Sequence, residues 1–104
     1  MRTLIVLLFI MTLCSTLFAI EVPSIQTGKA LFESNSLGTS GRSCADCHQL
    51  GKGLEDSIYL DETELIKLIN VCIRKPLAGE PLDPASTEMD SLVLYIRSIY
   101  PEME

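Results

Sequence analysis

The chain has 104 residues and a formal charge of −6, with 14 acidic and 8 basic side chains and a single histidine. A length of this order makes one small domain. The acidic balance excludes binding of nucleic acid or of an anionic membrane surface through bulk charge, and matches a partner with a basic docking patch.

Residues 1–19 read as a secretory signal peptide. Met1-Arg2 is the positive start, Leu4 to Phe18 the apolar run, and Ala19 a small residue at a cleavage point. Leu17 is large for the position two before Ala19. The run is also close to the roughly 18 residues of a spanning helix, so an uncleaved membrane anchor is the alternative. Cys14 follows Thr12-Leu13, where a lipoprotein signal would carry small residues, and reads as an apolar residue of the leader. The domain is then 20–104, with seven basic and fourteen acidic side chains. So short a domain has little core of its own.

Pro23 breaks any continuation of the leader. The pattern predicts a first helix from Ser24 to Ser34, with Ile25, Leu31 and Phe32 apolar. Gly28 lies inside it and costs about 1 kcal/mol against alanine, so it needs a packing reason. Gly28 and Phe32, four apart, share a face. Residues 35–43 form a loop by composition.

Arg42-Ser43-Cys44-Ala45-Asp46-Cys47-His48-Gln49 follows. Cys44-x-x-Cys47-His48 has the spacing for covalent attachment of a c-type haem. Each thiol adds across one vinyl group, and the adjacent His48 imidazole ligates the iron from one side. The same Cys-x-x-Cys pair also reads as half of a zinc site, as a redox dithiol or as a structural disulfide. Zinc needs two more ligands at similar spacing, and the other cysteines are Cys14 and Cys72. A thioredoxin-like pair sits beside a strand–helix–strand pattern, which is missing from the flanks.

Gly51-Lys52-Gly53 is another loop. Asp61 caps a second helix, and Glu64 completes a capping-box-like pattern on its first turn. Leu65, Ile66, Leu68, Ile69, Cys72 and Ile73 continue with helical spacing, and Pro76 ends it. Pro76, Pro81, Pro84 and Gly79 mark a semi-rigid loop to Ala85. Ser86 caps a last helix, Thr87 to Tyr100, with the stripe Leu92, Tyr95, Ile96 and Ile99, stopped by Pro101. The expected fold is all-α, three main helices and two long loops. Loops that long are unusual in a small domain unless they wrap something, and a haem is the obvious occupant.

Gly28-Lys29-Ala30-Leu31-Phe32, Cys44-Ala45-Asp46-Cys47-His48 and Leu92-Val93-Leu94-Tyr95-Ile96, in that order, resemble a class I cytochrome c over essentially the whole of 20–104. The resemblance implies three helices wrapped around one covalently attached haem c. It implies Gly28 and Phe32 packing near Tyr95, where first and last helices cross. It also implies export to the periplasm, since c-type haem is attached outside the cytoplasm in bacteria. Redox partner proteins are the implied partners, and two haem propionates would add to the acidity.

The family's distal ligand, usually a methionine before the last helix, departs from the pattern here. Met103 lies past Pro101, and Met89 is only six residues before Tyr95. Met89 reads either as the distal ligand or as a packing residue at a helix start. Cys72 is the preferred distal ligand, and an open position is the remaining reading. The run Ile69 to Arg74, with Leu77 to Leu82 and Ser86 to Met89, resembles the haem modules of sulfur-oxidising cytochromes and thiosulfate dehydrogenases, where a cysteine sulfur is the distal ligand. A thiolate would lower the reduction potential relative to a thioether, and iron would hold the thiol deprotonated. The bland reading of Cys72 is a small apolar residue on a helix stripe.

Two functions are therefore expected. The first is an electron carrier, since one committed histidine leaves no readable acid–base or nucleophile–base pair. The alternative is a haem subunit or enzyme of thiosulfate or sulfur-compound oxidation, with Cys72 as reactive sulfur and Arg74, with Lys75, binding the anion.

Overall fold

The computed structural model describes residues 21–100. The leader with Cys14, Leu17 and Ala19, and Met103 in the tail, lie outside the described residues. Those described hold four α-helices, α1 (Ile25–Glu33), α2 (Cys44–Cys47), α3 (Glu62–Arg74) and α4 (Thr87–Ile99), with 3-10 turns at Gln49–Gly51 and Glu55–Tyr59. No strand occurs among them, so the all-α expectation holds. None of their helices is long and apolar enough to cross a membrane.

The three long helices start where local chemistry says they should. Ser24, Asp61 and Ser86 each accept a bond from the backbone N–H three residues on, at 3.0, 2.8 and 3.2 Å. Such caps contribute about 1 kcal/mol each by satisfying one orphan donor. The box expected at Asp61 is half made, with no return bond from the Glu64 side chain. α3 stops at Arg74, before the ring of Pro76.

Gly28 has its packing reason. A Cβ there would lie 1.9 Å from the Ser91 carbonyl oxygen and 2.7 Å from Tyr95 Cβ. Only a glycine lets α1 and α4 come so close. One turn on, the rings of Phe32 and Tyr95 meet edge to face with centroids 5.2 Å apart, a contact that contributes about 1 kcal/mol beyond area burial. At the start of α1 the Ser24 N–H donates to the buried Ser91 Oγ at 3.1 Å.

Along α3, Leu65, Ile69 and Ile73 repeat every four residues and are buried against Leu92 and Ile96 of α4. The buried stripe is narrower than the spacing predicts. Leu68 is half-exposed and Cys72 exposed, because they face a cleft and not another helix.

The two long loops are tied together. Ser40 N–H donates to the Leu77 carbonyl at 3.1 Å, and Thr39 donates to the Ala78 carbonyl through N–H and hydroxyl, at 3.2 and 3.0 Å. Gly38 and Gly79 cross at this point. A Cβ on either would meet the opposite backbone within 2.1 Å. Asn70 holds the second loop onto α3, its amide donating to the Leu82 carbonyl and accepting from the Leu82 N–H, both at 2.9 Å.

Candidate cofactor site

The Cys-x-x-Cys-His stretch is itself a helical turn. Ser43 Oγ accepts from the Asp46 N–H at 3.1 Å, and Asp46 Oδ2 accepts from the Ser43 N–H at 2.7 Å. This reciprocal box closes α2 and leaves both capped donors satisfied. On such a turn Cys44 and Cys47, three apart, project to the same side. Asp46, a mere spacer in the motif, is therefore what shapes it. The sequence signal for the box is Ser43-x-x-Asp46, which overlaps the cysteines.

His48 ends the turn. Its Nδ1 lies 2.9 Å from the Lys52 carbonyl oxygen. A carbonyl only accepts, so that bond requires the proton on Nδ1 and leaves the Nε2 lone pair free in the neutral ring. Orienting an imidazole through its other nitrogen is how proteins prepare histidine to bind a metal. Gly53, at φ +90°, lets the loop curl over the ring. A Cβ there would sit 3.1 Å from Nδ1.

Beside the motif opens a cleft of about 330 Å³. Its walls are mostly apolar, drawn from Phe32, Leu54, Leu65, Leu68, Ile69 and Leu92, and Cys44, Cys47 and His48 stand on one side. Cys72 lines the same cleft from α3. Burial, followed by the charge of Cys72 and then that of Cys47, pushes the Cys44 thiol up to about 11, against a lesser lowering by a backbone hydrogen bond. The Cys72 thiol is also raised, by burial and then by Cys47. The three sulfurs therefore share one apolar chamber and feel one another. All three are free thiols, so no disulfide joins Cys44 and Cys47.

Residues that the sequence did not single out hold the walls. Arg97 of α4 donates from both terminal nitrogens to the carbonyls of Ser57 and Leu60, at 2.8 and 2.7 Å. It thereby fixes the Glu55–Tyr59 turn, which carries cleft residues Asp56 and Ser57. Tyr100 donates its hydroxyl to the Gly51 carbonyl at 3.1 Å, pinning the segment after the motif. Ser57 Oγ is buried in the cleft wall and has no hydrogen-bond partner among the described residues.

Three expected site residues stand elsewhere. Met89 is fully buried in the core and does not reach the cleft lining. Arg74 lies two positions after Cys72, roughly 200° around the helix. It faces a shallow surface pocket with Ser36, Thr39 and Glu80. The geometry thus separates the anion-binding group of the sulfur-chemistry reading from its reactive sulfur. Lys75, the cap residue of α3, is exposed and also outside the cleft lining.

Comparison with protein-family models, curated proteins and solved structures returns no match for this chain.

Among the described residues no three His, Cys, Asp or Glu side chains converge to hold a metal ion by themselves. A tetrahedral zinc needs such a convergence. Haem iron does not, since the porphyrin supplies four ligands and the chain one or two. A haem suits the donor set on three counts: paired thiols on one turn, an imidazole with Nε2 free, and apolar walls.

Proposed function

We propose that this protein is an exported electron carrier with one covalently attached haem c. The observation that carries the reading is the arrangement at α2. A capped turn presents Cys44 and Cys47 to an apolar cleft, and the Lys52 carbonyl holds the next residue, His48, in the tautomer that leaves Nε2 free. Cys44 and Cys47 are the covalent anchors and His48 the proximal ligand. A haem supplies a one-electron couple at its iron.

The rest is the work of the chain. The walls from Phe32, Leu65, Ile69 and Leu92 keep water from the ring, and an apolar environment strengthens every charge interaction within it. Cys72 reaches the cleft and Met89 does not, which supports a thiolate on the distal side. Burial raises the Cys72 thiol, and an iron beside it would act in the opposite direction. His48 Nδ1 is bonded to the Lys52 carbonyl and not to a cleft thiol. Arg74 lies on another face, so a carrier fits better than a sulfur-compound oxidoreductase.

The test is direct. The full chain, produced in cells that mature c-type cytochromes, is expected to carry haem that survives denaturation and to give the alkaline pyridine spectrum of a two-thioether haem. Protein lacking covalent haem would end the proposal. Electron paramagnetic resonance of the oxidised protein is expected to show a thiolate-ligated low-spin signal that disappears in Cys72→Ala while the haem stays attached.

A further inference from the structure

An exposed carboxylate reaches His48 through a single peptide group. His48 Nδ1 donates to the Lys52 carbonyl oxygen at 2.9 Å. The N–H of that same peptide group belongs to Gly53, and it donates to Glu55 Oε1 at 3.2 Å. The two ends of a peptide group are conjugated, so a negative acceptor on the N–H draws charge onto the carbonyl oxygen. A bond to an ionised acceptor is also about twice as strong as a neutral one. Glu55 is such an acceptor. Its own backbone N–H first, and the Gly53 N–H second, hold its carboxyl below the usual carboxylate range, and His48 acts in the same direction.

The peptide group has little freedom to turn away. Gly51 N–H donates to the His48 carbonyl, Lys52 N–H to that of Gln49 and Leu54 N–H to that of Gly51, each at 3.0 Å. The Tyr100 hydroxyl pins the Gly51 carbonyl as well. On the other side, Arg97 holds the turn that begins at Glu55.

We propose that Glu55 is a positioning residue for His48, acting through the Lys52–Gly53 peptide, which its carboxylate polarises so that the carbonyl grips the Nδ1 proton more tightly. The inference rests on the haem reading, in which Nε2 ligates the iron. It adds a residue that lies in neither the Cys44-x-x-Cys47-His48 motif nor the cleft lining. The proton stays on Nδ1. A tighter bond there gives the ring more anionic character, makes Nε2 a more basic ligand and favours the oxidised metal. The field of the carboxylate through space pushes the same way. Asp56 separates the two effects, because it is equally acidic, exposed and on the cleft lining, while the Gly53 N–H goes to Glu55.

The test uses the haem-loaded full chain. It reads the reduction potential, and the proton resonance of His48 Nδ1–H in the reduced, diamagnetic form. Glu55→Ala is expected to shift the oxidised-to-reduced ratio about threefold toward reduced at fixed solution potential, the scale of an exposed charge interaction, and to move the Nδ1–H resonance upfield. Glu55→Gln, which keeps an acceptor for the Gly53 N–H without the charge, is expected to fall between. Asp56→Asn is expected to shift the ratio through space and leave the resonance in place. Both side chains are exposed, and substitution there leaves the fold intact. An unmoved Nδ1–H resonance in Glu55→Ala, or an equal displacement in Asp56→Asn, with a normal pyridine spectrum, would overturn the relay and leave the haem reading standing. Absence of covalent haem in the unmutated chain would remove both.

Discussion

The α1–α4 crossing and the cleft beside α2 are two halves of the same core, finished differently. At the crossing, backbone meets backbone: Gly28 brings α1 to within a missing Cβ of the Ser91 carbonyl, and Phe32 and Tyr95 close the gap edge to face. At the cleft, Leu65, Ile69 and Leu92 turn part of their surface toward the opening, although they count among the best buried side chains. A domain this small cannot leave apolar walls facing water without losing much of its stabilising burial. The crossing is complete in the chain. The cleft is open, with two thiols and an imidazole on its rim, which is what the proposed haem would require.

The largest way to break that contrast is to remove the anchors. Replacing Cys44 and Cys47 together by serine should abolish covalent haem and, with it, most cooperative thermal unfolding followed by circular dichroism. Next comes the closed half. Gly28→Val forces a side chain into the Ser91 carbonyl and should cost about 3 kcal/mol through overpacking, read as a lower denaturant midpoint of the haem-loaded protein. If that variant unfolds at the unmutated midpoint, the crossing is looser than described.

A third change acts on the tie between loop and helix. Asn70→Ala removes two bonds to Leu82 and should cost about 2 kcal/mol, with little effect on the haem spectrum.

Met89→Leu tests core against cleft. A buried residue that does not reach the cleft should tolerate the swap for less than about 1.5 kcal/mol and leave the iron's spectrum unchanged. A changed spectrum would restore Met89 as a ligand.

The smallest effect is in thiol chemistry. The Cys44 thiol is held up to about 11, by burial first, so in the reduced, haem-free chain its alkylation should lag that of the exposed Cys47 at pH 8 and climb as pH approaches 11. The sign follows for stability too. A thiol raised in the folded state is protonated there when the unfolded chain, near the ordinary 9.0, has lost its proton. Folding of that haem-free form should therefore weaken between pH 9 and 11. Thioether formation removes the titrating proton and should abolish the effect.

Much of the fold and of the cleft's rim is legible in the amino-acid sequence. Ser24, Asp61 and Ser86 as caps, Pro76 as a stop, and Gly28 with Phe32 as a contact face are local signals acting within four residues. Contacts between remote segments are not legible in this way. Nothing near Gly38 announces Gly79, and nothing near Ser57 announces Arg97, because each pair meets only after the chain has turned. The capping box at Ser43 and Asp46 is local yet hidden, since Cys44-x-x-Cys47-His48 occupies the same residues. Cys72 and Arg74 show the converse. Close in sequence and paired in the sulfur-chemistry reading, they lie on opposite sides of α3.

The sequence by itself determined the three long helices, their N-terminal caps, and the pairing of two thiols with an imidazole, because these signals act within about one turn of the chain. Only the tertiary structure decided which sulfur shares their cleft. Cys72 was brought there and Met89 was not, since packing of α3 against α4 sets which face of each helix is spent on the core and which is left open.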